Sequence, residues 1–89
     1  MKILNDAINH FGKKKQIAKV REELLELALA ITRYESDCSI ENGYEVCDEC
    51  ADVEIMIAQL RMMTDPKLIN DRKKFKLNRL SERIAKESK

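Results

Sequence analysis

Five acidic residues have a spacing that lets them act together on helices. Glu22, Glu23 and Glu26 fall in one stretch of the chain, and Glu49 and Asp52 fall in a second. Residues three or four apart share one side of an α-helix, so each group can present its carboxylates in one direction. Carboxylate oxygens are the ligands that hard cations such as Mg²⁺ prefer. The two groups are therefore candidates for one metal site.

The apolar residues around the acids bear on this interpretation. On a helical projection Glu23 and Glu26 lie beside the apolar stripe of their helix, Glu49 falls inside the stripe of the next helix, and Asp52 borders it. The first stripe consists of Ile17, Val20, Leu24, Leu27, Ala28 and Ile31. An ionised carboxylate among apolar side chains needs a cation or a raised pKa. The alternative is a solvated acidic surface paired with Lys and Arg, and spacing alone does not decide between the two.

The elements that must position these acids are helices. The sequence has few Gly, Pro and aromatic residues and many Leu, Ile, Ala, Glu and Lys, which is typical of an all-α protein. The pattern predicts helices over residues 2–10, 14–34 and 44–64, with a connection at 35–43. Gly12 is the expected stop of the first helix. Asp65 and Pro66 predict the cap and first position of a fourth helix. We expect one domain, 1–89, forming a small antiparallel helical bundle of about four helices, completed by homo-oligomerisation.

Charge is divided into blocks along the chain. Residues 22–54 carry eleven Asp and Glu against a single Arg, a sum of −10, while residues 65–89 carry nine Lys and Arg against four acids, a sum of +5. The acidic block would repel phosphate backbones, so we expect no nucleic-acid partner. No stretch approaches the roughly 20 apolar residues of a membrane span, and polar residues interrupt the N-terminal segment. We therefore expect no membrane partner and a cytoplasmic protein.

The motifs resemble those of a known family. Arg21-Glu22-Glu23-Leu24-Leu25-Glu26-Leu27 looks like the EExxE element of the all-alpha NTP pyrophosphatases, the MazG-like family, and Glu49-Cys50-Ala51-Asp52-Val53 resembles its ExxD element. The similarity extends to His10-Phe11-Gly12 and Gln16 before the first motif and to Lys74-Phe75-Lys76-Leu77-Asn78-Arg79 after the second. It covers nearly the whole chain.

The resemblance implies a function for these residues. It implies a Mg²⁺-dependent enzyme, with Mn²⁺ as a substitute, that hydrolyses nucleoside triphosphates to monophosphates and pyrophosphate and so cleans the nucleotide pool. Carried over by position, the metal ligands would be Glu23, Glu26, Glu49 and Asp52, and Glu22 would be a further acid or the base that orients water. The triphosphate would bind the late basic segment, at Lys74, Lys76, Asn78 and Arg79.

Other interpretations stay open at this level. A homodimer or homotetramer would bury second apolar runs that a small bundle cannot cover. The same chain could be a non-catalytic helical oligomerisation module in which acids and bases pair between subunits. A zinc site is not convincing. A tetrahedral site needs four ligands, and the three cysteines, Cys38, Cys47 and Cys50, have only His10 as a candidate for the fourth. Cys50 is expected to pack in the core.

Overall fold

Residues 1–88 are described by a computed structural model, and Lys89, the last residue of the predicted domain, lies outside the described residues. Four helices follow one another: α1 Lys2–Phe11, α2 Lys13–Ser36, α3 Ile40–Met63 and α4 Pro66–Glu87. No strand occurs in this range. The prediction of an all-α protein with four helices is confirmed. None of the helices described is long and apolar enough to cross a membrane.

The connection between α2 and α3 is shorter than the sequence predicted. It occupies residues 37–39 rather than 35–43, because α3 begins at Ile40. The Ser39 side chain caps α3 by accepting a hydrogen bond from the Asn42 backbone N–H at 3.2 Å. The Asn42 side chain donates to the Asp37 carbonyl at 2.9 Å. Polar residues that looked like a loop thus satisfy the orphan groups of two helix ends.

Two other helix boundaries follow the sequence signals. Asp65 accepts from the Leu68 backbone N–H at 3.0 Å, and Pro66 occupies the first turn of α4, as predicted. Gly12 separates α1 from α2 with φ 93° and ψ 148°, a backbone conformation that is essentially restricted to glycine. Gly12 therefore determines the angle at which α1 meets the rest of the fold.

The α2 and α3 helices form an antiparallel pair, and α1 packs against both of them. In α2 the buried residues are Gln16, Val20, Glu23 and Ala30, which recur at helical spacing along one side. This stripe is rotated away from the one predicted, because Ile17, Leu24, Ala28 and Ile31 are exposed in the single chain. Hydropathy placed Glu23 beside the buried stripe, whereas the structure places it inside.

The surface of the single chain is large for its length. The accessible area is 7276 Å², whereas a monomer of this size typically exposes about 5400 Å². The radius of gyration is 16.5 Å, against about 12 Å for a close-packed chain. Within residues 1–88, α4 contacts only α3, and no residue of α4 is buried. The excess area is about 1900 Å².

All three cysteines are exposed, so the prediction that Cys50 packs in the core is wrong. The core of the described chain is small, with Val20, Ala30 and Met56 as its buried apolar residues.

Candidate metal centre

The register of the α2–α3 pair brings the two acidic motifs together. Gln16 contacts Gln59 across the pair. Moving two helical turns along α2 and two turns back along α3 reaches Glu23 and Asp52. One carboxylate oxygen from each of Glu23, Glu49 and Asp52 lies within 4.8 Å of the others. The structure thus brings three of the four predicted ligands close together.

A second group of carboxylates shares Glu23 with the first. Glu22, Glu23 and Glu26 also each offer an oxygen within 4.8 Å of one another. Glu26 and Glu49 belong to different groups, so the four predicted ligands form two overlapping sets rather than one. Both sets meet at Glu23, which makes it the central residue of the site.

Glu23 is buried and only partly compensated. Its residue exposure is 6%. One carboxylate oxygen, Oε1, receives an ion pair from the Lys19 ammonium at 3.0 Å. The other oxygen, Oε2, is buried and has no hydrogen-bond partner within residues 1–88. An unpartnered buried acceptor typically costs about 1–3 kcal/mol, so the position of Oε2 calls for a cation or a donor.

Glu49, on the opposite helix, also has a carboxylate oxygen without a hydrogen-bond partner within residues 1–88. Its Oε2 is buried and lacks a hydrogen-bond partner in the described chain. Burial is the main cause that raises the pKa of Glu49 above its ordinary 4.5, and the negative charges of Glu26, Glu23, Asp52 and Asp48 raise it further. A carboxylate surrounded by like charges binds either a proton or a metal cation. Glu49 therefore has the electrostatic surroundings of a ligand.

Asp52, Glu26 and Glu22 complete the site from its exposed side. Glu26 and Glu49 line a small cleft of about 140 Å³ that continues toward Arg33 and Glu45. The Arg33 guanidinium pairs with the Glu45 carboxylate across α2 and α3 at 3.6 Å. The acids are thus buried on the side of the core and open to solvent on the other side.

Lys19 is a member of the site that the sequence analysis missed. Besides Glu23, its ammonium lies 3.7 Å from the Glu22 carboxylate. The hydrogen bond to Glu23 is the main cause that raises the pKa of Lys19, with the charges of Glu22, Glu23 and Glu26 adding to it. The signal was present, because Lys19 precedes Glu22 and Glu23 by three and four residues, the spacing of helical ion pairs.

The donor set fits a hard divalent cation. It consists of carboxylate oxygens alone, two of which are buried without partners. One lysine offsets part of the charge of the acids that surround it. All-oxygen sites with several carboxylates are selected by Mg²⁺, Ca²⁺ or Mn²⁺ rather than by soft metals. Glu23, Glu49 and Asp52 would hold such an ion, with Glu26 and Glu22 on its open side.

The predicted phosphate-binding residues lie elsewhere in the single chain. Lys74, Lys76, Asn78 and Arg79 are all exposed on α4, which within residues 1–88 does not contact α2. The Arg79 guanidinium lies 6.0 Å from the centre of the Phe75 ring, and that of Arg72 lies 4.7 Å from it. One chain therefore does not bring its basic helix to its acids.

Two buried glutamines were also not singled out as functional by the sequence. Gln16 and Gln59 are 7% and 4% exposed, and the Gln16 Nε2 donates to the Gln59 Oε1 at 2.7 Å. Gln16 had entered only as part of the resemblance before the first motif, and Gln59 lies between Ala58 and Leu60 in α3. Neither position predicted that the two amides would be buried together, where each needs a partner.

Comparisons of the chain with protein-family models, with curated proteins and with solved structures give no significant match. The likeness to the MazG-like family accordingly stays a prediction that rests on the motifs quoted above.

Proposed function

We propose that this protein is a Mg²⁺-dependent nucleoside triphosphate pyrophosphohydrolase of the MazG-like type. The observation that carries the proposal is the pair of buried carboxylate oxygens, Glu23 Oε2 and Glu49 Oε2, that lack hydrogen-bond partners within residues 1–88. They belong to residues from the two resembling motifs, and with Asp52 these residues offer ligand oxygens within 4.8 Å. A structural role alone gives no reason to bury two unpartnered oxygens in this way.

The ligands in the proposal are Glu23, Glu49 and Asp52, with Glu26 on the open side. When bound, Mg²⁺ or Mn²⁺ supplies positive charge that offsets the charge of a triphosphate and polarises its α-phosphorus. The reaction adds water to the α-phosphorus and breaks the bond to the oxygen that bridges to the β-phosphorus. A nucleoside monophosphate and pyrophosphate leave.

The protein's own groups have distinct roles in this reaction. Glu22 is exposed at the edge of the acidic group, and its carboxylate accepts the proton of the attacking water. Lys19, now paired with Glu23 and near Glu22, holds these two carboxylates in position before the substrate enters. Burial of Glu23 fixes its rotamer and keeps the site geometry rigid.

The cations for the phosphate chain come from α4 in this proposal. Lys76 and Arg79, with Lys74 and Asn78 nearby, lie on a helix that contacts only α3 in the described part of the chain. We place them over the acids of a second copy, so that a homodimer or homotetramer completes each site. The opposite charges of the two segments favour this arrangement.

A turnover assay tests the proposal directly. The purified protein is incubated with each canonical dNTP and NTP, with Mg²⁺, with Mn²⁺ or with EDTA, and pyrophosphate is measured. We expect pyrophosphate release that depends on the cation. Glu49→Gln and Asp52→Asn should each reduce the rate by at least about 10–100-fold, the loss that mutation of the groups around metal ligands already causes. Glu54→Gln, an exposed α3 carboxylate outside both acidic groups, is the matched control. The proposal fails if no nucleotide yields pyrophosphate or if the ligand variants keep full activity.

A second candidate function is a non-catalytic helical oligomerisation module. The observation that favours it is an apolar groove of about 600 Å³ on α4, lined by Leu68, Ile69, Leu77 and Leu80 with a basic rim. Such a surface is typical of association between helices. This function predicts self-association that weakens with salt, does not change with EDTA, and is accompanied by no nucleotide turnover.

A further inference from the structure

A second concave site lies beside the acidic cluster. It is a cleft of about 550 Å³ between α1, α2 and α3, within the 300–1000 Å³ typical of small-ligand sites. Its apolar wall includes Phe11 and Met56, and its inner wall includes Gln16 and Gln59. Lys19 and Glu22 belong both to this cleft and to the surroundings of Glu23. A molecule in the cleft would therefore reach the acids at one end.

The two glutamines are the buried hydrogen-bonding groups of the cleft, whose other polar lining residues, Lys15, Lys19 and Glu22, are exposed. Both glutamines are more than nine-tenths buried. The Gln16 Nε2 donates to the Gln59 Oε1 at 2.7 Å, and the Gln59 Nε2 contacts the Met56 sulfur at 3.8 Å, a weak acceptor. The Gln16 Oε1 accepts no hydrogen bond from the described chain. Each amide also keeps one N–H free, because a primary amide carries two.

The mutual hydrogen bond fixes the two amides relative to each other. The free Gln16 Oε1 is not among the buried oxygens that lack a partner, so it is open to the cleft and can bind a ligand there. The remaining acceptor and donors of the pair would match a planar ring whose edge alternates donors and acceptors. A phosphate would use only the donors, a metal ion only the acceptor, and an aliphatic chain neither.

Phe11 supplies a face for such a ring. It ends α1, is 55% exposed, and lines the cleft. The His10 ring meets Phe11 edge-on, with ring centres 4.7 Å apart and planes at 88°, so His10 does not stack on it. Gly12, with its positive φ, turns the chain directly after Phe11 and holds α1 over the cleft. Stacking of a base on an aromatic side chain is a common mode of nucleobase binding.

We propose that this cleft binds the nucleobase of the substrate, with Gln16 and Gln59 hydrogen-bonding the edge of the base and Phe11 stacking on its face. The identity of the ligand rests on the proposed function. The binding experiment does not, because it requires no hydrolysis. Gln16 and Gln59 are then the residues that determine base preference. The sugar and phosphates extend past Lys19 toward the acids.

Nucleosides without phosphate separate this inference from the proposed function. The four deoxynucleosides are titrated to millimolar concentration into the full chain in EDTA, and the glutamine side-chain NH₂ signals are followed by NMR. At least one deoxynucleoside is expected to shift the Gln16 and Gln59 signals. Methylation of the ring N–H of that base, as in 3-methylthymidine, or of its amino group is expected to weaken binding about tenfold, the effect of one hydrogen bond.

Two variants keep the test independent of folding defects. Gln16→Met replaces a buried amide by an apolar chain of similar length, and Phe11→Ala changes an exposed ring. Each is expected to weaken nucleoside binding, and in turnover to raise KM about tenfold with kcat nearly unchanged and to reduce the ratio of kcat/KM between bases. Ile3→Ala, an exposed α1 residue outside the cleft, is the control.

The outcomes separate the two ideas. If nucleosides bind in a way that depends on Gln16 but no triphosphate is hydrolysed, the base-binding cleft is supported and the proposed pyrophosphohydrolase function is refuted. If triphosphate is hydrolysed but nucleosides do not shift the Gln16 and Gln59 signals, the base-binding cleft is refuted and the proposed function is not. The same conclusion follows if Gln16→Met leaves the base preference unchanged. If Gln16→Met is unfolded by circular dichroism, the result with Phe11→Ala decides, and unchanged nucleoside binding by that variant overturns the proposal.

Discussion

Replacing Glu23 by Gln should make the protein more stable without divalent cations and less stable than the wild type with them. Glu23 is 6% exposed, and its Oε2 lacks a hydrogen-bond partner in the described chain while other carboxylates lie near it. The glutamine has nearly the same shape and carries no charge. Its amide can also donate to an oxygen of Asp52, where the wild type has two acceptors facing each other.

The magnitude follows from two opposed effects. Removing the buried unpartnered acceptor is worth about 1–3 kcal/mol. Losing the ion pair with Lys19, whose side chain is 47% exposed, costs at most about 1 kcal/mol. We expect the free energy of unfolding in EDTA to rise by about 1–2 kcal/mol, which for a domain of this length corresponds to about 4–16 °C in Tm.

A divalent cation should reverse the order of the two proteins. At a Mg²⁺ concentration 100 times its Kd, the wild type should gain about 2.7 kcal/mol, because an ion at the proposed site would bind only the folded state. The variant would lack a central ligand and should gain much less. The measurement is thermal and urea unfolding of both proteins at one protein concentration, in EDTA and in Mg²⁺. Glu54→Gln is the control and should follow the wild type in both buffers.

Either of two results would refute this reasoning. If Glu23→Gln is less stable than the wild type in EDTA, the buried Oε2 is not a source of instability. If Mg²⁺ stabilises wild type and variant equally, Glu23 is not a ligand, and the central place given to it in the site is wrong.

Three further predictions concern other parts of the molecule. Gly12→Ala should lower the free energy of unfolding, measured in urea, by about 1–3 kcal/mol. Backbone strain alone would cause the loss, since a Cβ at this position meets no atom within 4 Å. An unchanged free energy of unfolding would contradict the positive φ. Without divalent cations the wild type should become more stable as pH falls from neutral toward 4.5, because the raised pKa of Glu49 lets the folded state bind a proton that the unfolded chain does not yet bind. Glu49→Gln should lose that part of the slope, and identical pH profiles of unfolding would exclude it. Leu77→Lys should shift the mass measured by light scattering toward the monomer, with Leu77→Met as control, and an unchanged mass would argue against α4 as an association surface.

The sequence predicted the helices well because their ends carry local signals. Asp65 and Pro66 cap α4 through their own side chains, and Gly12 ends α1 through its φ angle, so both signals act without tertiary contacts. The α2–α3 connection was misjudged because Ser39 and Asn42 have the composition of a loop yet use their polar atoms to close helix ends. The same side-chain chemistry serves loops and caps, and only the structure distinguishes the two.

The acids of the candidate site were predicted, but Lys19 and the depth at which Glu23 is buried were not. Spacing grouped the acids on each helix, and an antiparallel hairpin allows the two groups to face each other, since helical geometry leaves little freedom. Hydropathy could not show that Glu23 and Gln16 are buried while Leu24 and Ile31 are half-exposed, because burial depends on which side of α2 faces α3. The rotation of the buried stripe toward polar residues is a tertiary effect. A hydrophobic pattern does not contain it.

The division of charge links the site to association. The acidic block forms the α2–α3 hairpin, in which Lys19 and Arg33 are the cations that pair with the acids within residues 1–88. A divalent cation and the basic α4 of a second copy would both offset the charge of the same carboxylates. Binding of either one would therefore weaken the electrostatic attraction of the acids for the other. A bound triphosphate would restore negative charge between them, and the coupling would then change sign. Because such coupling is reciprocal, we expect the substrate with Mg²⁺ to strengthen association, and Mg²⁺ alone to weaken it. A module that only associates would show neither effect.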